Sequence, residues 1–338
     1  MFDGSIAEWL SDFSFLFLSI LLEGAPFILL GTIVSGFLDA YLPAGAMDRL
    51  LPRNRIGAVF ASGLLGIIFP VCECAVVPVI RRLVKKGLPP ACALTYMLAA
   101  PIVNPVTALS TASAFKAADI PMTSSRLAMG YLMAVAVGLL LLRIPASAVL
   151  KASVMERVTR NNRRRAPAEP GECAHGDGRP AGASAHRRSD PRLVEALRAA
   201  LRDFADVAVY FVIGITIVAV VNTPPPFSNA TPVREVIDQT AESTFGAPAA
   251  LMALAFLLSL CSTSDAFIAW SLDTFRYGAR LGFLVYGPMM DLKLLFLYNT
   301  ILTKRFIICL AAGLFVAIGG LSVWWEMVFR PSVPLPVP

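Results

Sequence analysis

Four short stretches of this 338-residue sequence carry side chains able to bind, gate or exchange a solute. Pro70-Val71-Cys72-Glu73-Cys74 offers two soft sulfurs and a carboxylate within one turn, and Cys261-Ser262-Thr263-Ser264-Asp265 offers a third sulfur and a second carboxylate. Thiolates select thiophilic species such as trivalent arsenic, Cu(I) or zinc, so this pattern suits a soft ligand. The other two stretches are proline breaks, Pro101-Ile102-Val103-Asn104-Pro105 and Pro288-Met289-Met290-Asp291, the second followed closely by Lys293. A helix broken inside a membrane survives only against protein or a water-filled cavity, so paired breaks mark a cavity.

All four stretches interrupt apolar sequence. Hydrophobic residues make up 57% of the chain and charged residues 15%, against roughly 45–50% and 25% in soluble proteins, which excludes a purely water-soluble fold. Apolar runs at 13–38, 90–115, 125–143, 204–222, 280–302 and 306–325 each approach the ~20 residues that cross a bilayer, giving six expected transmembrane helices. Two more regions, 56–84 and 247–275, are split by the Cys-containing stretches and read as broken spans or re-entrant hairpins. Ionisable groups at bilayer depth cost roughly 2.5–3.5 kcal/mol each and mark a pathway. Glu23, Glu73, Asp265, Asp291 and Lys293 qualify. Asp291 and Lys293 diverge on an intact helix and pair only if the segment after Pro288 is unwound. Cys92 and Cys309, by contrast, read as small apolar packing residues.

Lys and Arg number 29 against 23 Asp and Glu, a formal charge of +6. Cytoplasmic loops account for this excess better than a nucleic-acid partner does. If both split regions are hairpins, Arg49, Arg53, Arg55, Arg81, Arg82, Lys85, Lys86, Lys304, Arg305 and the basic segment 143–202 share the cytoplasmic side. Lys116, Arg126, Arg234, Arg276, Arg280 and Arg330 then lie outside. Met1 to Asp12 contains Asp3, Glu8 and Asp12 but no Lys or Arg, so the first apolar run is expected to stay as a span. Residues 146–191 are rich in Arg, Ala, Pro, Gly and Ser and show no apolar stripe, the composition of a disordered cytoplasmic linker. Its Cys173, His175 and His186 match no standard metal spacing, and five of the six cysteines lie in apolar sequence rather than in a disulfide framework. No GxxxxGK[ST] loop is present, so the chain does not energise itself with ATP.

The sequence also repeats itself. Displacing it so that Cys74 falls on Cys261 puts Pro101 on Pro288 and Asn104 on Asp291 without a gap, and a slightly shorter displacement puts Glu23 on Asp206 and Gly31 on Gly214. Three spans plus a hairpin per copy is an odd number of crossings, so the second copy enters inverted, the common plan of secondary transporters with a midplane site. The expected organisation is a first repeat (1–145), the linker (146–191), a second repeat (192–330) and a Pro-rich tail (331–338). The fold class is an all-α polytopic membrane protein.

The run Pro70 to Pro78, then Lys86-Gly87 and Leu98-Ala-Ala-Pro101-Ile-Val-Asn104-Pro105, resembles the ArsP/YraQ family of bacterial permeases. Glu23-Gly-Ala-Pro26, Cys261 to Asp265 and Gly287-Pro288-Met-Met-Asp291-Leu-Lys293 resemble the same family's other motifs. The resemblance implies a multi-pass bacterial inner-membrane permease, some members of which export trivalent organoarsenicals through membrane-embedded cysteines. By motif match it assigns substrate binding to Cys72, Cys74 and Cys261. With the residues at the breaks, the expected binding set is Cys72, Glu73, Cys74, Asn104, Cys261 and Asp265, and the expected coupling or gating set is Glu23, Pro101, Pro105, Pro288, Asp291 and Lys293. No cofactor, metal or catalytic residue is expected. The expected partners are a small-molecule or metalloid substrate, the bilayer and a homo-oligomeric copy. The rival readings are an intramembrane thiol oxidoreductase using Cys72 and Cys74, and a passive channel.

Overall fold

Lipid offers the backbone no hydrogen-bond partners, so apolar runs take up helix, which satisfies them within one segment. The computed structural model describes residues 2–41, 51, 52, 54–69, 71–85, 88–115, 120–151, 192–223, 243, 245–272 and 275–329. The bulk of the expected linker, from 152 to 191, and the Pro-rich tail lie outside the described residues. Among those described are thirteen helices and no β-strand. In chain order they are α1 (Phe2–Tyr41), α2 (Arg55–Ile68), α3 (Glu73–Lys85), α4 (Pro90–Ala99), α5 (Pro105–Ala114), α6 (Ile120–Leu141), α7 (Ala146–Val149), α8 (Arg192–Asn222), α9 (Gly246–Leu258), α10 (Asp265–Ser271), α11 (Tyr277–Met289), α12 (Leu292–Tyr298) and α13 (Lys304–Phe329).

Among the described residues, five stretches are long and apolar enough to span a bilayer: Trp9–Phe37, Met122–Leu141, Ala196–Val220, Tyr277–Tyr298 and Lys304–Val328. The sequence reading expected a sixth continuous span over 90–115. The structure divides that run into α4 and α5, because Pro101 and Pro105 cannot donate to the helix ladder and Asn104 caps a new start. The 280–302 run is divided likewise, into α11 and α12, just after Pro288.

The long helices α1 and α8 run antiparallel. Trp9 Nε1 donates to the Thr223 carbonyl over 2.7 Å, while at the other end Gly36 lies against the Ala196 carbonyl. Their outer faces present Phe15, Leu22 and Val209, which suits contact with acyl chains and would be a liability in water. The broken helices are central instead: α4 is buried from Ala91 to Ala99 and α11 from Gly278 to Met289. Helix α4 packs against α2, α3 and α6, and α11 against α9, α10 and α13. After α7 the chain is clasped to the α12–α13 turn, with an isolated bridge between Leu150 and Leu302 and a hydrogen bond from Thr303 N to the Val149 carbonyl of 3.0 Å.

Close approach at the first break depends on Gly66. A Cβ there would stand 2.6 Å from the Val103 carbonyl oxygen and 2.9 Å from the Ala100 Cα, both backbone atoms that cannot turn aside. Gly66→Ala should therefore lower stability by about 1–3 kcal/mol through overpacking. Gly313, with nothing within 4 Å of its Cβ position, should accept Ala neutrally or gain slightly from helix propensity. Thermal unfolding of the two variants in detergent checks the contrast. Equal melting would mean that α2 does not lie against the break.

Candidate functional site

Breaking a helix orphans backbone carbonyls and N–H groups, and here side chains answer for both. At the first break Asn104 accepts from Val106 N over 2.9 Å and Thr107 Oγ1 donates to the Pro101 carbonyl over 2.9 Å. Pro105 is the first residue of α5, where its missing N–H costs nothing. At the second break Asp291 accepts from Leu294 N over 2.6 Å, and Tyr298 Oη donates to the Met289 carbonyl over 3.1 Å. Asn104 and Asp291, matched by the internal repeat, are thus both N-caps of the helix that resumes.

The segment between α9 and α10 is the most heavily serviced. Ser259 holds φ 49°, a left-handed conformation that a residue with a Cβ adopts at a cost. Its Oγ accepts from Leu292 N over 3.2 Å, tying this segment to the start of α12. Lys293 Nζ donates to the Ser259 and Leu260 carbonyls over 2.8 and 3.2 Å. The Cys261 carbonyl accepts from Ser264 N and Asp265 N, the Ser262 carbonyl from Arg126, and the Thr263 carbonyl from Ser110 Oγ over 2.5 Å. Every carbonyl from Ser259 to Thr263 therefore has a donor, as backbone at membrane depth requires.

Two buried ion pairs cross between the halves of the chain, in opposite senses. Lys293 of the second half bonds Glu73 Oε1 of the first over 3.2 Å, and Arg126 of the first half bonds Asp265 Oδ2 of the second over 2.7 Å. Glu73 opens α3, where the helix dipole favours an anion. Lys293 sits at the carbonyl end of α9, where the dipole favours a cation. Asp291 Oδ2 is 3.4 Å from the same ammonium, so Asp291 and Lys293 do meet across unwound backbone after Pro288. Arg126 also donates to Thr111 Oγ1 over 2.7 Å. Glu73, Asp291, Lys293, Asp265 and Arg126 are each at most 3% exposed.

The cysteines border this network. Cys72 is half-buried and adjoins Glu73 in the chain. Cys261 is half-buried, next to Leu260, with its sulfur 3.5 Å from Thr263 Oγ1 and within electrostatic reach of Glu73 and Lys293. Cys92 is buried in α4, beside an apolar cavity of about 350 Å³ lined also by Arg55, Pro89, Leu141 and Val149. Cys309 is exposed on α13. The side chains of Cys74 and Glu23, both expected in the site, lie outside the described residues. No group of His, Cys, Asp and Glu among the described residues is placed to hold a metal ion.

The structure brings Glu73, Cys261, Asp265, Asp291 and Lys293 together, and adds Arg126, Thr111 and Ser259. The sequence reading counted Arg126 only among the basic residues of the outer side. Helix α6 starts at Ile120, upstream of the apolar run, which carries Arg126 about two turns into the helix.

A family model described as a predicted permease, ArsP, matches residues 10–324. The UPF0718 protein YcgR of Bacillus subtilis strain 168 is 33% identical over 307 residues, covering 90% of this chain and 93% of the relative. A Streptococcus mutans protein provisionally named a subunit of a two-component membrane permease complex is 32% identical over 294 residues, covering 87% of this chain and 88% of that protein. No solved structure matches the chain.

Proposed function

The chain belongs to the ArsP predicted permease family, and from that premise we propose that it is a secondary permease moving a small thiophilic solute, such as a trivalent organoarsenical, past a midplane site. Its five apolar helices and its relatives make it a multi-pass bacterial membrane protein, and its family supports transport rather than catalysis. The observation that carries the reading is one ammonium tying two cysteine-bearing breaks: Lys293 bonds Glu73 beside Cys72 and the Leu260 carbonyl beside Cys261. A soft solute crossing between those sulfurs would meet both halves at once.

The inverted-repeat plan is part of this proposal. Supporting it, the repeat-related helices α1 and α8 run antiparallel, and the cross-contacts are reciprocal: α3 packs against α12 and α5 against α10. Rocking of one repeat against the other would then alternate access to the site. By likeness to the Streptococcus mutans protein, we extend to this chain a second subunit in a permease complex.

Cys72→Ser or Cys74→Ser should abolish flux without lowering abundance, whereas Cys92→Ser and Cys309→Ser should be mild. Ser keeps nearly the volume of Cys but replaces a polarizable sulfur with a hard hydroxyl. Uptake of a trivalent phenylarsenical by everted vesicles, with and without a proton gradient, tests both substrate and mode. Full activity of the Cys72 and Cys74 variants would remove the thiophilic substrate, and gradient-independent equilibration would make the protein a channel.

A further inference from the structure

The ionic network does not balance. Lys293 and Arg126 supply two positive charges to Glu73, Asp291 and Asp265, all of them buried. Arg126 and Asp265 pair one to one at 2.7 Å, which leaves one ammonium for two carboxylates. Of the other buried charges among the described residues, Arg280 lies over the Phe115 ring just past the end of α5, and Glu326 lies 3.8 Å from Arg276.

The hydrogen bonds carry the same deficit. Lys293 donates to Glu73 Oε1, the Ser259 carbonyl and the Leu260 carbonyl. Glu73 Oε2 and Asp291 Oδ2 are both buried and accept no hydrogen bond from the described residues; Asp265 Oδ1 is bare as well, but its carboxylate has the Arg126 guanidinium opposite it. Two unbonded carboxylate oxygens beside a single cation amount to one missing positive charge and one missing donor. A proton supplies both, the two carboxylates lying 3.2 and 3.4 Å from one ammonium.

We infer that Glu73 and Asp291 hold one exchangeable proton between them, beside Lys293, and that this proton is the coupling ion of the transport cycle. The proton's presence stands on geometry and charge alone, and only its coupling role rests on the permease reading. A metal cation is disfavoured at the same place, because the Lys293 ammonium lies within 3.4 Å of both carboxylates and would repel it. The other titratable groups within electrostatic reach are Cys261, Asp265 and Tyr286. Helices α1 and α8, which also pack against α3, bring Glu23 and Asp206 in their sequences.

Infrared spectroscopy of the purified protein in proteoliposomes at neutral pH reads this without transport. Wild type should show a carbonyl band of a protonated carboxyl group that shifts in D2O and does not change when K+ is replaced by Na+. Glu73→Gln should abolish it. Asp291→Asn should also abolish it, since one carboxylate then faces one ammonium, and Asn retains the capping oxygen for α12. Either variant alone decides the assignment if the other fails to fold. Absence of the band in wild type, its persistence in a folded variant, or its loss on adding Na+ would each overturn the proposal. A proton found by this route in a protein that moves no solute would leave the site standing and remove only its coupling role.

Discussion

Lys293→Met should cost about 3–5 kcal/mol of stability and most of the folded protein in the membrane. The substitution keeps an unbranched chain of similar length but takes from Glu73 and Asp291 the cation they face among the described residues, and the donor from the Ser259 and Leu260 carbonyls. In water those groups would recover hydrogen bonds from solvent. Here Glu73 and Asp291 are 1% and 0% exposed, so an uncompensated carboxylate bears its full desolvation penalty. Glu73→Gln should be far milder, because the amide oxygen still accepts from Lys293 and the ammonium still faces Asp291. Combining Glu73→Gln with Lys293→Met should recover part of the loss, since the charge left without a partner is then reduced to Asp291. Thermal unfolding in detergent, read beside membrane abundance, checks the order of the three. A Lys293→Met protein that melts with wild type would show that the ammonium does not hold the breaks together.

That network was only partly legible in the sequence. The repeat singled out Asn104 with Asp291 and Pro101 with Pro288 because cap and proline chemistry is local: it depends on residues within one turn, and spacing records it. The pairing of Asp291 with Lys293 could be stated as a condition on unwinding, and the structure meets the condition with Asp291 extended at φ −137° and ψ 175°. The buried role of Arg126 was missed because hydropathy reads where an apolar run begins, not where the helix begins. Ile120 to Ser125 is polar enough to pass for a loop, and only tertiary contact with Asp265, 139 residues away, explains an arginine inside. Ser259 gave no signal, since a left-handed C-cap is normally written as Gly or Asn. Its serine is explained by the hydrogen bond from Leu292, a contact across 33 residues.

Arg126→Met should lower stability by about 3–5 kcal/mol as well, with a different consequence for transport. One guanidinium fork holds Asp265, the Ser262 carbonyl and Thr111 at once, at 2.7, 3.0 and 2.7 Å. Lys cannot reproduce that geometry, having a single nitrogen and a shorter overall reach, so Arg126→Lys should retain only a part of the stability. The two cross-half bridges are therefore unlike in kind. The Lys293 ammonium is a point charge on a flexible stem that can change partners, whereas the Arg126 fork fixes α5, α6 and the start of α10 in one arrangement. If the halves rock, the lysine bridge is the one that must open and the arginine bridge the one about which they turn. Arg126→Met combined with Asp265→Leu removes both charges from the fixed bridge and should restore much of the stability together with flux. Glu73→Gln combined with Lys293→Met should restore some stability without flux, because the exchangeable charge is gone. Vesicle uptake measured on melting-matched pairs separates these outcomes. Flux in the second double variant, or its absence from a stable first one, would reverse the assignment of which bridge moves.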